Sequence, residues 1–163
     1  MMSVTHNFFS VGLCLYLASL APAFTLSHLL LAGWVALSTG FVIDALGHSR
    51  RGGRSVRSWT THSVVTAPLW GASIGLVTVL ALSVFLHGFQ EGPLLGFAAL
   101  LGVASGYSHL LLDSMTEGGV YGLRRRVALA HHGNRNPVLN LAFLLLGVVL
   151  GLAGLGLLPL IRP

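Results

Sequence analysis

The fold is decided by residues 26–46, which read LSHLLLAGWVALSTGFVIDAL and contain a single charged side chain, Asp44. A run of about 20 apolar residues is long enough to cross the hydrocarbon core of a bilayer as one α-helix. The rest of the chain has the same character: it is 54% hydrophobic and 8% charged, with a mean hydropathy of +0.82. This composition excludes an ordinary soluble domain and a disordered chain.

Apolar segments separated by Pro, Gly and Arg predict one all-α polytopic membrane domain over residues 1–163, with about five transmembrane helices. Two polar stretches, 48–61 and 114–136, are expected to be solvent loops. The helices are predicted at about 7–20, 26–46, 63–86, 94–112 and 138–158.

The basic residues predict the topology. All nine are Arg, and eight of them lie in the two polar loops. The positive-inside rule places these loops in the cytoplasm. The N-terminus is therefore expected on the cytoplasmic side of the cell membrane and the C-terminus on the outer side. Membrane lipids are the expected partners. Nucleic acid is not expected, because no aromatic residues alternate with the arginines.

A secretory signal peptide is an alternative for the N-terminal segment. Ala21-Pro22-Ala23 resembles a small-x-small cleavage site that follows an apolar stretch. The preceding residues 1–7 contain no Arg or Lys, which argues against cleavage. The alternative competes with a metal site, since cleavage would remove His6.

Residues that metals favour recur at the ends of the apolar segments. Asp44 and His48 are four positions apart, as are His109 and Asp113, and such pairs share one face of a helix. A carboxylate inside a bilayer costs roughly 2.5–3.5 kcal/mol at the midplane, so it is usually paired or functional. Either the pairs cap their helix ends by local hydrogen bonds, or they bind metal. The predicted metal ligands are His6, Asp44, His48, His62, His109 and Asp113.

Nitrogen and oxygen ligands of this kind suit a divalent cation, with zinc or manganese the expected ions. Six ligands suffice for two ions that share a bridging carboxylate. We predict a metal-dependent hydrolase whose site lies at the cytoplasmic face. Its catalytic carboxylates are expected to be Asp113 and Glu117, which lies one further turn beyond Asp113. Phosphoester or lipid-linked substrates fit the Arg-rich rim. The predicted substrate-binding residues are Arg124, Arg125, Arg126 and His131.

The order of these motifs resembles that of the YdjM-type inner-membrane proteins, to which metal-dependent hydrolase activity is attributed. The matching motifs are Thr5-His6, Asp44-x-x-x-His48, Thr61-His62-Ser63 and His109-Leu110-Leu111-Leu112-Asp113-x-x-Thr116. Residues 113–121 and 128–131, with Asn136-Pro137, are closer to a related archaeal family of unknown function. The resemblance covers residues 5 to about 140 and implies a membrane-bound hydrolase. The sequence departs from the usual YdjM-type form at Leu46, where that family has a second acid two positions after Asp44. This departure argues against a full two-metal centre.

Two other functions remain open. A lipid phosphatase with a covalent phosphohistidine also uses His-x-x-x-Asp, although the accompanying Pro-Ser-Gly-His phrase is missing from this sequence. A non-enzymatic metal-binding or membrane-assembly protein would keep the same ligands for a structural purpose. The sequence predicts neither the substrate nor the oligomeric state.

Overall fold

The computed structural model describes residues 1–22, 24–51, 54–85, 92–123 and 125–158. They form a predominantly helical membrane-type bundle, which confirms the all-α prediction. The helices are α1 (Ser3–Ser19), α2 (Leu26–Gly47), α3 (Thr66–Phe85), α4 (Gly92–Ser114) and α5 (Pro137–Gly154). Two short antiparallel hairpins join them: β1 (His48–Arg51) with β2 (Arg54–Arg57), and β3 (Val120–Tyr121) with β4 (Arg126–Val127).

Helix ends follow local capping chemistry. α3 begins later than predicted because the Ser63 hydroxyl accepts a hydrogen bond from the Thr66 N–H at 3.0 Å and so caps the helix. α5 begins at Pro137, and the Asn136 side chain accepts from the Leu139 N–H at 3.0 Å. α1 begins earlier than predicted, at Ser3, so that His6 lies inside the helix.

By length and composition, four helices in the described part of the chain can cross a membrane: α2, α3, α4 from Leu94 onward, and α5. α1 has 17 residues and falls short of this length, so the structure supports one spanning helix fewer than the five predicted. Large apolar side chains such as Phe41 and Val84 point out of the bundle. An apolar exterior of this kind is what contact with lipid requires.

Small residues let the helices approach closely. A Cβ atom placed on Gly12 of α1 would collide with the Gly147 carbonyl of α5, and one on Gly71 of α3 would collide with the Gly102 carbonyl of α4. Helix pairs in membranes associate through such contacts. α1 and α2 each pack against α4, which brings the N-terminal part of α1 and the C-terminal ends of α2 and α4 together.

The described parts of the two polar stretches contain short hairpins, which the prediction of solvent loops did not include. The Tyr121 N–H of β3 donates to the His62 carbonyl at 2.8 Å, and the Tyr121 carbonyl accepts from the Val64 N–H at 2.9 Å. This parallel bridge holds the segment before α3 against the end of the bundle. The prediction missed it because hairpins this short leave no strand periodicity in an Arg-rich sequence.

Candidate metal centre

Three imidazoles converge on the buried carboxylate of Asp113. Its Oδ1 lies 3.2 Å from His6 Nε2, and its Oδ2 lies 3.4 Å from His62 Nε2 and 3.5 Å from His109 Nε2. All four side chains are almost completely buried. The ligands therefore come from α1, from the segment before α3 and from α4, with His109 and Asp113 one helical turn apart.

A second carboxylate approaches the same imidazoles from the end of α2. Asp44 Oδ1 lies 3.4 Å from His109 Nε2, 3.6 Å from His48 Nδ1 and 4.0 Å from His62 Nε2. Asp44 and His48 are only partly buried, with 30% and 36% of their side-chain surfaces exposed. The cluster is thus closed on the Asp113 side and open on the Asp44 side.

The structure brings together all six residues that the sequence predicts as ligands. They form two sets of three, and in each set one ligand atom per residue lies within 4.8 Å of the others. The sets are His6, His109 and Asp113, and Asp44, His48 and His62. A tetrahedral ion with metal–nitrogen bonds of about 2.0–2.1 Å separates its ligand atoms by about 3.4 Å, close to the spacing around Asp113. These groups could hold a metal ion.

Buried polar atoms at the centre lack ordinary hydrogen bonds. His62 Nε2, His109 Nε2 and Asp113 Oδ2 have no hydrogen-bond partner among the described residues. An unsatisfied buried polar group costs about 1–3 kcal/mol. Since all three atoms can offer a lone pair toward the same small space, a bound cation would satisfy them together. The donor set therefore fits a divalent metal.

Neighbouring groups orient two of the imidazoles. His62 Nδ1 lies 2.8 Å from the Thr61 hydroxyl oxygen, which leaves Nε2 to face Asp113. His48 Nδ1 lies 2.9 Å from the Asp44 carbonyl oxygen and can donate to it, which ties this ring to the end of α2. Burial lowers the pKa of His62 to about 3, so this imidazole is neutral at physiological pH. Metal-binding histidines are characteristically held in this way through the other ring nitrogen.

Arg57 is the functional residue that the sequence analysis missed. Its Nη2 donates to Asp113 Oδ1 at 2.5 Å, and its Nη1 donates to Thr116 Oγ1 at 3.1 Å and to the Gly119 carbonyl at 3.0 Å. The side chain is buried. In the sequence Arg57 is one of four arginines in a polar loop, and only its place as the last of them before His62 distinguishes it.

Glu117 does not join the cluster. It was predicted to lie one helical turn beyond Asp113, but α4 ends at Ser114 and the chain turns, with the Thr116 N–H donating to the Asp113 carbonyl at 3.1 Å. The Glu117 side chain is exposed, and no ion pair in the described part of the chain involves it.

The predicted substrate-binding residues lie at the surface of the second polar stretch. Arg125, Arg126 and His131 are exposed, and Arg126 Nε donates to the Gly118 carbonyl. Arg124 lies outside the described residues. The structure does not bring these side chains to the six ligands, and their role stays a prediction.

Comparison with known proteins identifies a family whose function is unknown. The model of the family described as "Protein of unknown function (DUF1286)" matches residues 1–112, which include five of the six cluster residues and end one residue before Asp113. No curated protein matches the chain. No solved structure matches it either.

Proposed function

We propose that this chain, which belongs to the DUF1286 family of proteins of unknown function, is a membrane-embedded metal-dependent hydrolase. The observation that carries the proposal is the convergence of His62 Nε2, His109 Nε2 and Asp113 Oδ2. These atoms are buried and have no hydrogen-bond partner among the described residues, and the two nitrogens lie 3.4 and 3.5 Å from Asp113 Oδ2. Zinc or manganese is the proposed ion.

A divalent cation held by these residues would activate a water nucleophile and polarise the scissile bond of an ester. The two carboxylates of the cluster differ in exposure, and we assign them different roles. Asp113 is buried and bound to Arg57, so it serves as a fixed ligand. Asp44 belongs to the cluster and is partly exposed, so it is placed to accept a proton from the attacking water.

Phosphoesters, including lipid-linked ones, are the proposed substrates. The exposed Arg125 and Arg126 give the protein a basic surface beside the membrane, which suits a phosphate group or anionic lipids. The arginine distribution also supports a cell-membrane location with both Arg-containing stretches in the cytoplasm. A cytoplasmic N-terminus is consistent with His6 of α1, whose Nε2 lies 3.2 Å from Asp113 Oδ1 at the end of α4 beside these stretches. The resemblance to the YdjM-type proteins agrees with hydrolysis.

The proposal is tested by metal analysis of the purified protein, followed by a screen of phosphomonoesters and phosphodiesters. The wild type should retain bound metal, and both Asp113→Ala and Asp44→Asn should lose it. Glu117→Gln, which changes an exposed acid outside the cluster, is the matched control and should retain the ion. A chelator should abolish turnover and added Zn²⁺ or Mn²⁺ should restore it. Absence of bound metal and of turnover by metal-treated wild type would overturn the proposal.

A covalent phosphohistidine mechanism has weaker support. A nucleophilic imidazole must reach the substrate phosphorus, whereas His6, His62 and His109 are all buried. That mechanism predicts chelator-resistant turnover and a trapped phosphohistidine. A non-enzymatic metal-binding role predicts retained metal with no turnover of any ester.

A further inference from the structure

A groove between α1 and α2 leads to the open side of the cluster. Its volume is about 330 Å³, and its lining residues are Ser3, Asn7, Gly40, Phe41, Asp44 and Ala45. Asp44 is the only cluster residue in this wall. The groove therefore connects the outside of the bundle to the partly exposed carboxylate.

The lining of the groove is of mixed polarity. Ser3, Asn7 and Asp44 supply hydroxyl, amide and carboxylate groups, whereas Phe41 is an outward-pointing aromatic side chain with 72% of its surface exposed. α2 is apolar and long enough to span a bilayer, so Phe41 lies on a surface that would face acyl chains. A ligand that both reaches Asp44 and covers Phe41 must be polar at one end and apolar at the other.

The close approach of α1 and α2 defines the floor of the groove. A Cβ atom on Gly40 would lie 3.2 Å from Asn7 Oδ1, so the glycine keeps the groove open beside this amide. The buried ligands lie behind Asp44, with His109 Nε2 3.4 Å from its Oδ1. A headgroup at the inner end would consequently reach the cluster while its chain stays in the membrane.

We propose that this groove admits a lipid phosphoester laterally from the bilayer, with its phosphate at Asp44 and its hydrocarbon chain along Phe41. The inference rests on the proposed metal-dependent hydrolase and names its substrate class. Asp44 would repel a phosphate by itself, so binding requires the positive charge of a loaded cluster. A water-soluble phosphoester lacks the chain that the outer half of the groove would hold.

The test measures equilibrium binding of a non-hydrolysable long-chain alkylphosphonate in mixed detergent micelles, with and without metal. Ala45→Trp places a bulky side chain in the groove, and Leu46→Trp places the same side chain at the neighbouring exposed position outside the lining. Ala45→Trp should weaken binding to the metal-loaded protein by about tenfold, and Leu46→Trp by less than about twofold. Phe41→Ala, which removes an apolar contact and leaves the groove open, should also weaken binding of the long-chain alkylphosphonate.

Methylphosphonate, which has no chain, separates this inference from the proposed function. Its binding should depend on metal but change little in Ala45→Trp and Phe41→Ala. Metal retention with equal long-chain affinity in the wild type, Ala45→Trp and Phe41→Ala would overturn lateral lipid entry and leave the metal centre standing. A wild type that retains no metal would overturn both.

Discussion

Arg57 binds one oxygen of Asp113 and leaves the other to the imidazoles of His62 and His109. Its Nη2 lies 2.5 Å from Oδ1, whereas Oδ2 faces His62 Nε2 at 3.4 Å and His109 Nε2 at 3.5 Å. The guanidinium is itself fixed by the Thr116 hydroxyl and the Gly119 carbonyl. A buried charge-assisted bond therefore sets the orientation of the central carboxylate.

Replacing Arg57 should destabilise the protein strongly. Arg57→Ala removes the guanidinium that forms the shortest ion pair with the buried Asp113 carboxylate, and breaking a buried pair costs about 3–5 kcal/mol. Arg57→Lys keeps the positive charge but loses the planar guanidinium that donates to both Thr116 and Gly119. We therefore expect Arg57→Lys to lower the free energy of unfolding by less than Arg57→Ala does. Unfolding in detergent measures the effect. Arg125→Ala, at an exposed position, is the control, and its free energy of unfolding should lie within about 0.5 kcal/mol of that of the wild type. Equal stability of Arg57→Ala and Arg125→Ala would contradict the pairing of Arg57 with Asp113.

Metal should stabilise the folded protein through its six ligands. An ion that binds only the folded state adds about 2.7 kcal/mol when its free concentration is 100 times Kd. Added Zn²⁺ should therefore raise the melting temperature of the wild type, and His62→Ala should reduce or abolish the increase. His131→Ala removes an exposed imidazole outside the cluster and should leave the increase unchanged. The same increase in His62→Ala and the wild type would exclude His62 as a ligand.

Much of the bundle could be predicted because membrane helices are specified locally. Apolar runs of the required length indicate α2 to α5, and i,i+4 spacing pairs Asp44 with His48 and His109 with Asp113. α1 has only 17 residues, so apolarity alone overstated the number of spanning helices.

The remaining features depend on contacts between distant segments. Burial of Arg57 requires the turn after α4, and the position of His62 requires the bridge to Tyr121. Glu117 was misplaced because its prediction put it one helical turn beyond Asp113, whereas α4 ends at Ser114 and the chain turns away. A helical repeat cannot reveal where a chain leaves the helix, and one sequence does not reveal which of several arginines is buried.

The residue before α2 and the stretch before α5 should be accessible from opposite sides of the membrane. Thr25 precedes α2 and is exposed, and Asn134 is exposed in the second Arg-containing stretch. In a Cys14→Ala background, an impermeant thiol reagent should label Thr25→Cys in intact cells and Asn134→Cys only after permeabilisation, because Arg-rich loops stay in the cytoplasm. Labelling of Asn134→Cys alone in intact cells would reverse the proposed orientation.

Thr61 should tune the metal affinity of His62 without touching the ion. Its hydroxyl oxygen lies 2.8 Å from His62 Nδ1 and is buried with it, which fixes the plane of the ring and directs Nε2 toward Asp113. Thr61→Val keeps the shape and removes this hydrogen bond, and loss of such an outer contact typically weakens metal binding by about 10–100-fold.

The adjacent Thr60 supplies the matched control for this prediction. Its side chain is exposed, and its hydroxyl is paired with Ser58 at 2.8 Å rather than with an imidazole. Thr60→Val should therefore bind Zn²⁺ as the wild type does, while competition against a chromophoric chelator detects the weaker Kd of Thr61→Val. Thr61→Ser, which retains the hydroxyl, should restore most of the affinity. Equal Zn²⁺ affinity in Thr61→Val and Thr60→Val would show that His62 is oriented without Thr61 or does not bind the ion.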